Sequence, residues 1–293
     1  MSVFKGSRSE FRAYVLAEAE KGRGVYVPVR AGFFRRLFVR SAPVERLHPN
    51  PDDEFCSPEV GPGESILADY ERKIRDAEAH AQKYRFDQPL MVQQVRPDGY
   101  MILNGHHRWA AAGRTGMKRV PICIVNLTQE TDVRAMLSRS KHDRRVTLDL
   151  DEVVLAGPDE PAERQADRLF RRMLPYRLRL GVPALFHYLN KQGWDIWLYS
   201  AEYAPPDNIR ALLQFYGARI TGVLTGTGRN AALLKNLEGE LTRHYPVTLH
   251  VDVRSVLRVD SRTRAYEEHA LSGDPLRWST EVMDVIGAME KHE

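Results

Sequence analysis

Apolar positions follow one rhythm before about residue 127 and another after it. Residues 9–21 (SEFRAYVLAEAEK) place them at helical spacing on a charged background, which predicts an amphipathic helix. Residues 25–40 (VYVPVRAGFFRRLFVR) predict short strand-like pieces with a basic, aromatic edge of Phe33, Phe34, Arg35, Arg36, Phe38 and Arg40. That edge is read as a half-buried strand beside a solvated arginine face, in preference to a phosphate or nucleic-acid contact. Pro, Gly and acidic residues over 48–65 predict a loop, and 66–83 a helix. PLMVQQV and YMILNG predict two strands joined at Pro97-Asp98-Gly99. HHRWAAAGRTG predicts a helix stopping at Gly116, and VPICIV a buried strand ending the first domain near Leu127.

Residues 128–145 predict a polar connecting helix and linker. After them strands and helices alternate: VTLDL into Asp151, a helical stretch over about 159–192, DIWLYS (195–200), a helix over 206–216, ARITGVL, a helix over 229–243 and VTLHVDV. Such alternation predicts a parallel α/β sheet. The expected organisation is α/β in two domains: an N-terminal helix and basic strands (1–42), an α+β domain (43–127), the linker (128–145) and a Rossmann-like domain (146–293).

Composition narrows the class. With 293 residues, 43% hydrophobic and 28% charged, the chain is globular and long enough for two cores. Cys56 and Cys123 are too few for a disulfide framework or a four-thiolate zinc site; they are read as a loop thiol and a strand residue. No apolar run approaches the ~20 residues of a membrane span, and the N-terminus has no signal-peptide core, so a cytoplasmic protein without a membrane partner is expected. The net charge is only +4, with nine lysines and 34 arginines, an imbalance read as genome composition.

Two clusters carry chemistry. Gly105-His106-His107-Arg108 stands where a strand gives way to a helix. Backbone N–H groups there attract anions, Arg108 can fork onto a phosphate, and the histidines can donate or shuttle protons. Tyr100–Val125 resembles the ParB/sulfiredoxin-like fold: a strand, a Gly-x-x-Arg helix start, and a strand after Val-Pro. Gln88-Pro89-Leu90 and His48-Pro49-Asn50-Pro51 match upstream elements, so the resemblance covers about 43–127. It implies nucleotide binding, of ATP or CTP, by Gln88, Gly105, His106, His107 and Arg108. ParB clamps carry Gly-Glu-Arg-Arg and sulfiredoxins Gly-Cys-His-Arg at this position, so neither partitioning nor sulfinic acid repair carries over.

The second cluster is Asp149-Leu150-Asp151, two carboxylates at the end of an apolar strand. Paired acids there suit a magnesium ion, with one acid attacking phosphorus and the other handling the leaving-group proton. Residues 146–155 resemble motif I of the haloacid dehalogenase-like (HAD) hydrolases, with Val153 at its last position. Ser200, 51 residues after Asp149, matches the second motif; Arg229 or Lys235 the basic third; Asp252 the acidic fourth. The resemblance implies catalysis by Asp149, Asp151, Ser200 and Arg229 or Lys235, with Mg²⁺ on Asp149, Asp151 and Asp252. A second acid, frequent after the fourth motif, is missing beside Asp252; Asp260 is the substitute considered.

Together these resemblances imply an Mg-dependent HAD phosphohydrolase or phosphotransferase with an aspartyl-phosphate intermediate, joined to a ParB-like nucleotide-binding unit with NTPase or kinase potential. The alternatives are a nucleic-acid-associated regulator or nuclease with a degenerate or end-processing HAD domain, and a kinase–phosphatase pair acting on one metabolite. The intervals Asp149–Ser200 and Ser200–Arg229 leave no room for a large inserted cap. By resemblance, an open cleft implies a phosphorylated nucleic acid or protein as substrate; the alternative is a cleft roofed by residues 1–127 acting as the cap.

Overall fold

The computed structural model of the chain describes residues 6–165, 176–227 and 231–291. It divides into two compact units, Met1–Asn126 and Leu127–Glu293.

In the first unit, helix α1 (Arg8–Gly22) opens at Ser7, whose hydroxyl accepts the Glu10 amide while the Glu10 carboxylate accepts the Ser7 amide. The 25–40 segment differs from expectation. It holds a two-residue exposed strand, β1 (Val27–Pro28), and a short helix, α2 (Phe33–Phe38), that buries none of its residues. Six residues are too few for period to separate strand from helix, and Arg36 closes the turn by donating to the Ala31 carbonyl. Strands β2 (Ser41–Pro43) and β3 (Leu47–His48), helix α3 (Glu64–Ala79), strands β4 (Leu90–Arg96) and β5 (Tyr100–Asn104), helix α4 (His106–Thr115) and strand β6 (Arg119–Ile124) complete the unit.

The sheet order is β2-β6-β4-β5-β3, with β1 on the far end of β4. β4 and β5 are antiparallel, and α4 carries the chain from β5 to β6, which runs parallel to β4. Ala110, Ala111 and Ala112 are buried in one core with Leu67 and Ile74 of α3 and Leu90, Val92, Ile102 and Ile122 of the sheet. Their small side chains bring the helix close to its neighbours, and the Trp109 indole N–H finds the Val44 carbonyl at 3.3 Å.

The second unit includes the 128–145 segment, expected as a linker. Its helix α5 (Glu130–Leu137) buries Val133, Met136 and Leu137 against Trp197, Leu224, Leu237, Leu241 and Tyr245. Strand β7 (Arg144–Asp149) runs into a single wide helical turn (Leu150–Val154). The 159–192 stretch also departs from expectation: among the described residues it is helical only in α6 (Val182–Lys191). Pro158 and Pro161 break a helix there, and Leu155 and Ala162 form bridges to Leu178 and Arg179 instead. The buried Arg179 guanidinium fixes this crossing by donating to the carbonyls of Val153 (2.9 Å) and Glu152 (2.8 Å). Then come β8 (Asp195–Tyr199), α7 (Pro206–Phe215), β9 (Gly222–Leu224), α8 (Ala231–His244), β10 (Val247–Val251), β11 (Ser255–Asp260), β12 (Ala265–Ala270) and α9 (Trp278–Lys291).

The sheet order is β12-β11-β10-β7-β8-β9, with β10, β7, β8 and β9 parallel and β11 and β12 added as antiparallel hairpins. Leu148, Ile196, Leu198, Leu249 and Val251 bury one face with α6, α7 and α9. On the other face α5 and α8 pack with Trp197 and Leu224. Among the described residues no helix is long and apolar enough to cross a membrane.

Candidate functional site

In the first unit, Gly105 caps α4 in the left-handed region (φ +105°), and His106, His107 and Arg108 form the first helical turn. The structure sets the two histidines against the loop that precedes α3. His106 Nε2 accepts the Asn50 N–H at 3.1 Å, and His107 Nε2 accepts the Gly63 N–H at 2.9 Å. The histidines thus pin the 50–63 loop as acceptors, with the Phe55 ring against both imidazoles. Asp53 lies 3.6 Å from His106 Nδ1, and burial holds the His107 pKa below the ordinary imidazole range. Arg108 is buried; its Nη1 donates to the Gln88 carbonyl (2.7 Å) and its Nη2 approaches Asn104 Oδ1 (3.4 Å). Gln88 meets the cluster through its main chain. No carboxylate pairs with Arg108 among the described residues, and burial lowers its pKa.

Cys56 ends a buried turn within the 48–65 loop, its thiol pushed up to about 12 by burial, which makes it unreactive as a nucleophile.

In the second unit, strand register assembles the acidic cluster. Leu148 of β7 pairs with Val251 of β10, so the next residues, Asp149 and Asp252, stand on neighbouring parallel strands about 4.8 Å apart. On the other side Asp149 pairs with Tyr199, and Ser200 follows it. Asp149 Oδ1 accepts the amides of Asp151 (2.7 Å) and Glu152 (2.8 Å), which fixes its carboxylate at the strand end. Ser200 is fully buried and donates to Asp151 Oδ2 at 2.5 Å. The Asp151 pKa is raised, first by burial and then by the charges of Asp149, Glu202 and Glu152, against the Ser200 hydrogen bond.

A cavity of about 650 Å³ opens beside this cluster, lined at one end by Asp149 and Asp252 and also by Lys235, Arg145, Thr147 and His250. Of the two basic candidates, Lys235 reaches this cavity; Arg229 lies outside the described residues. Asp260 does not reach it. It pairs with Val247, at the opposite end of β10 from Asp252, and caps the turn to β12.

Among the described residues no three His, Cys, Asp or Glu side chains converge as a metal cluster, and the Asp151 carboxylate turns to Ser200 instead. Magnesium commonly takes one or two carboxylates plus substrate phosphate oxygens. Asp149 and Asp252, adjacent and lining one cavity, supply that smaller donor set.

Sequence reasoning passed over Asp195. Its carboxylate accepts hydrogen bonds from Ser140, from the Tyr245 hydroxyl (3.0 Å) and from Thr221 (3.0 Å), tying the segment after α5 to the sheet. An acid opening an apolar strand was the available signal.

Residues 71–141 match the family model of the ParB N-terminal domain. An ATP-dependent L-serine kinase of Staphylothermus marinus is 33% identical over 92 residues, covering 30% of this chain and 33% of that protein. A probable plasmid-partitioning protein ParB of Deinococcus radiodurans is 28% identical over 131 residues, covering 41% and 44%. The chain thus spans less than half the length of these relatives. Among solved structures, a truncated chromosome-partitioning ParB of Caulobacter crescentus complexed with CTP-γ-S is 31% identical, covering 36% of this chain and 55% of that one, with a TM-score of 0.23. The same protein on its centromeric parS site gives 32% identity and a TM-score of 0.22, covering 34% and 46%. The family-model match thus assigns a ParB-type N-terminal domain to residues 71–141.

Proposed function

We propose that the chain is a phosphoryl-transfer protein: a magnesium-dependent phosphohydrolase of HAD type in residues 127–293, joined to a ParB-type unit that binds a nucleoside triphosphate. The observation that carries the reading is the placement of Asp149, Ser200 and Asp252 at the carboxyl ends of three adjacent parallel strands, with Asp151 hydrogen-bonded to Ser200. Ligands of open α/β sheets sit at such ends.

In this mechanism the Asp149 carboxylate, oriented by two amides, attacks phosphorus as the bond to the leaving oxygen breaks. Asp151, its pKa raised, holds the proton that the leaving oxygen takes. Water then attacks phosphorus of the aspartyl phosphate and gives its proton to Asp151, releasing phosphate and restoring Asp149. Lys235 supplies positive charge to the phosphoryl oxygens. Mg²⁺ on Asp149 and Asp252 would neutralise phosphoryl charge. Phosphatase assays with and without Mg²⁺ test the reading. Metal-dependent turnover lost in Asp149→Asn is expected; normal turnover in that variant overturns it.

In the first unit, the α4 N-terminus and the acid-free Arg108 guanidinium support triphosphate binding, as do relatives named as an ATP-dependent kinase and a ParB protein. Calorimetry with ATP and CTP tests it; equal affinity in Arg108→Ala removes the site. The nucleic-acid-associated reading draws support from α2, where Phe33, Phe34 and Phe38 are exposed beside Arg35 and Arg36. Steeply salt-dependent oligonucleotide binding would favour it.

A further inference from the structure

We infer that the groove beside the strand-end carboxylates holds a second oxyanion of the substrate, so that the preferred substrate is an elongated phosphomonoester ending in a carboxylate or a second phosphate. The substrate claim rests on the phosphohydrolase reading above; the binding claim stands on the groove alone.

Arg145 is the second residue of β7 and Asp149 its last, and both line the same cavity. Their Cα atoms are four residue steps apart, roughly 13 Å at ~3.3 Å per residue, and the Arg145 side chain reaches the Tyr199 hydroxyl. The cavity, about 650 Å³, has the volume of a small-ligand site. Leu241 and Leu257 also line it and suit an apolar or planar body.

The partners of Arg145 are neutral groups. Elsewhere in this unit Arg144 meets Glu290 at 3.1 Å, Arg179 meets Glu160 at 3.0 Å and Arg134 meets Glu240 at 2.8 Å. Arg145 has no ion pair among the described residues. Its Nε donates to Thr248 Oγ1 (3.1 Å), its Nη1 to the Tyr199 hydroxyl (3.3 Å), and its guanidinium lies over the Tyr245 ring at 5.5 Å. Two hydroxyls and a ring orient a cation without neutralising it. The residue lines a cavity, a setting in which arginine takes a carboxylate or phosphate. The cavity therefore carries the Asp149 and Asp252 carboxylates at the strand ends and a guanidinium without an ion pair farther back along β7, with Glu238 and Glu268 also on its wall.

The test compares three probes on the full chain with Mg²⁺: a biphenyl phosphate, its para-carboxy derivative and the para-bisphosphate. The wild type should favour a probe with a second anionic group over the plain phosphate by at least about tenfold in kcat/KM, expressed in KM. Arg145→Met should collapse that ratio, and Arg145→Lys should restore part of it. Because the ratio is taken within one protein, a general folding defect cancels. Whether the carboxylate or the bisphosphate leads identifies the oxyanion. A wild-type ratio near one, or a ratio unchanged in Arg145→Met, overturns the inference. If no probe is turned over, the phosphohydrolase reading falls, and calorimetry with biphenyl dicarboxylate decides the binding claim. Binding lost in Arg145→Met sustains it; no binding, or equal binding, overturns it.

Discussion

The Arg108 guanidinium packs on the bare face of Gly105: a Cβ built on Gly105 would lie 3.0 Å from Arg108 Nη2 and 3.0 Å from Leu90 Cγ. The left-handed backbone (φ +105°) and the missing side chain therefore serve one purpose, letting the arginine fold back to the Gln88 carbonyl.

Gly105→Ala should accordingly destabilise the first unit by at least about 2 kcal/mol, combining the left-handed penalty with displacement of Arg108. Gly116 is the internal comparison. It is also left-handed (φ +82°) but has nothing within 4 Å of the added Cβ, so Gly116→Ala should cost about 1 kcal/mol. Urea unfolding of the two variants measures the difference; equal losses would refute the packing account.

His107 predicts a pH dependence. Its folded pKa lies below the ordinary value of ~6.5, so the unfolded chain takes up the proton more readily. The stabilisation from the Gly63 N–H bond is complete above that ordinary value. It is lost as the pH falls through it toward the lowered folded pKa. Unfolding midpoints should drop on acidification, and the drop should be smaller in His107→Gln. Parallel pH profiles for the two proteins would contradict this.

Asp151, whose pKa is raised, should act as the proton donor to poor leaving groups. Turnover of alkyl phosphates should fall on the alkaline side as Asp151 ionises. Asp151→Asn should harm alkyl phosphates far more than nitrophenyl phosphate, whose leaving group needs no proton. Equal losses on both substrates would remove Asp151 from that role.

Asp195→Ala should lower the stability of the second unit by about 3 kcal/mol, because Ser140, Tyr245 and Thr221 lose their common acceptor. Thermal unfolding checks this, and a loss below about 1 kcal/mol would show that the three hydroxyls find other partners.

What the sequence disclosed follows from how local each signal is. VTLDL and DIWLYS are apolar runs ending at polar residues, and both are strands whose ends carry Asp149 and Ser200. The hairpins β11 and β12 escaped notice because SVLRVD and AYEEHA are too polar to read as buried strands. The acceptor roles of His106 and His107 depend on a loop more than forty residues upstream, and the lone guanidinium of Arg145 on helices and strands that only the tertiary fold brings near. A motif discloses which groups are present; their protonation and partners are set by neighbours distant in sequence.

Strand β12 has a further consequence. Its one edge pairs with β11, and nearly all its residues are exposed, including Tyr266, Glu267 and Glu268. An open strand edge is a template onto which a second chain can zip. Here adjacent glutamates place negative charge along it, so two such edges repel at neutral pH. That charge guards the exposed edge against pairing with a second copy of the chain.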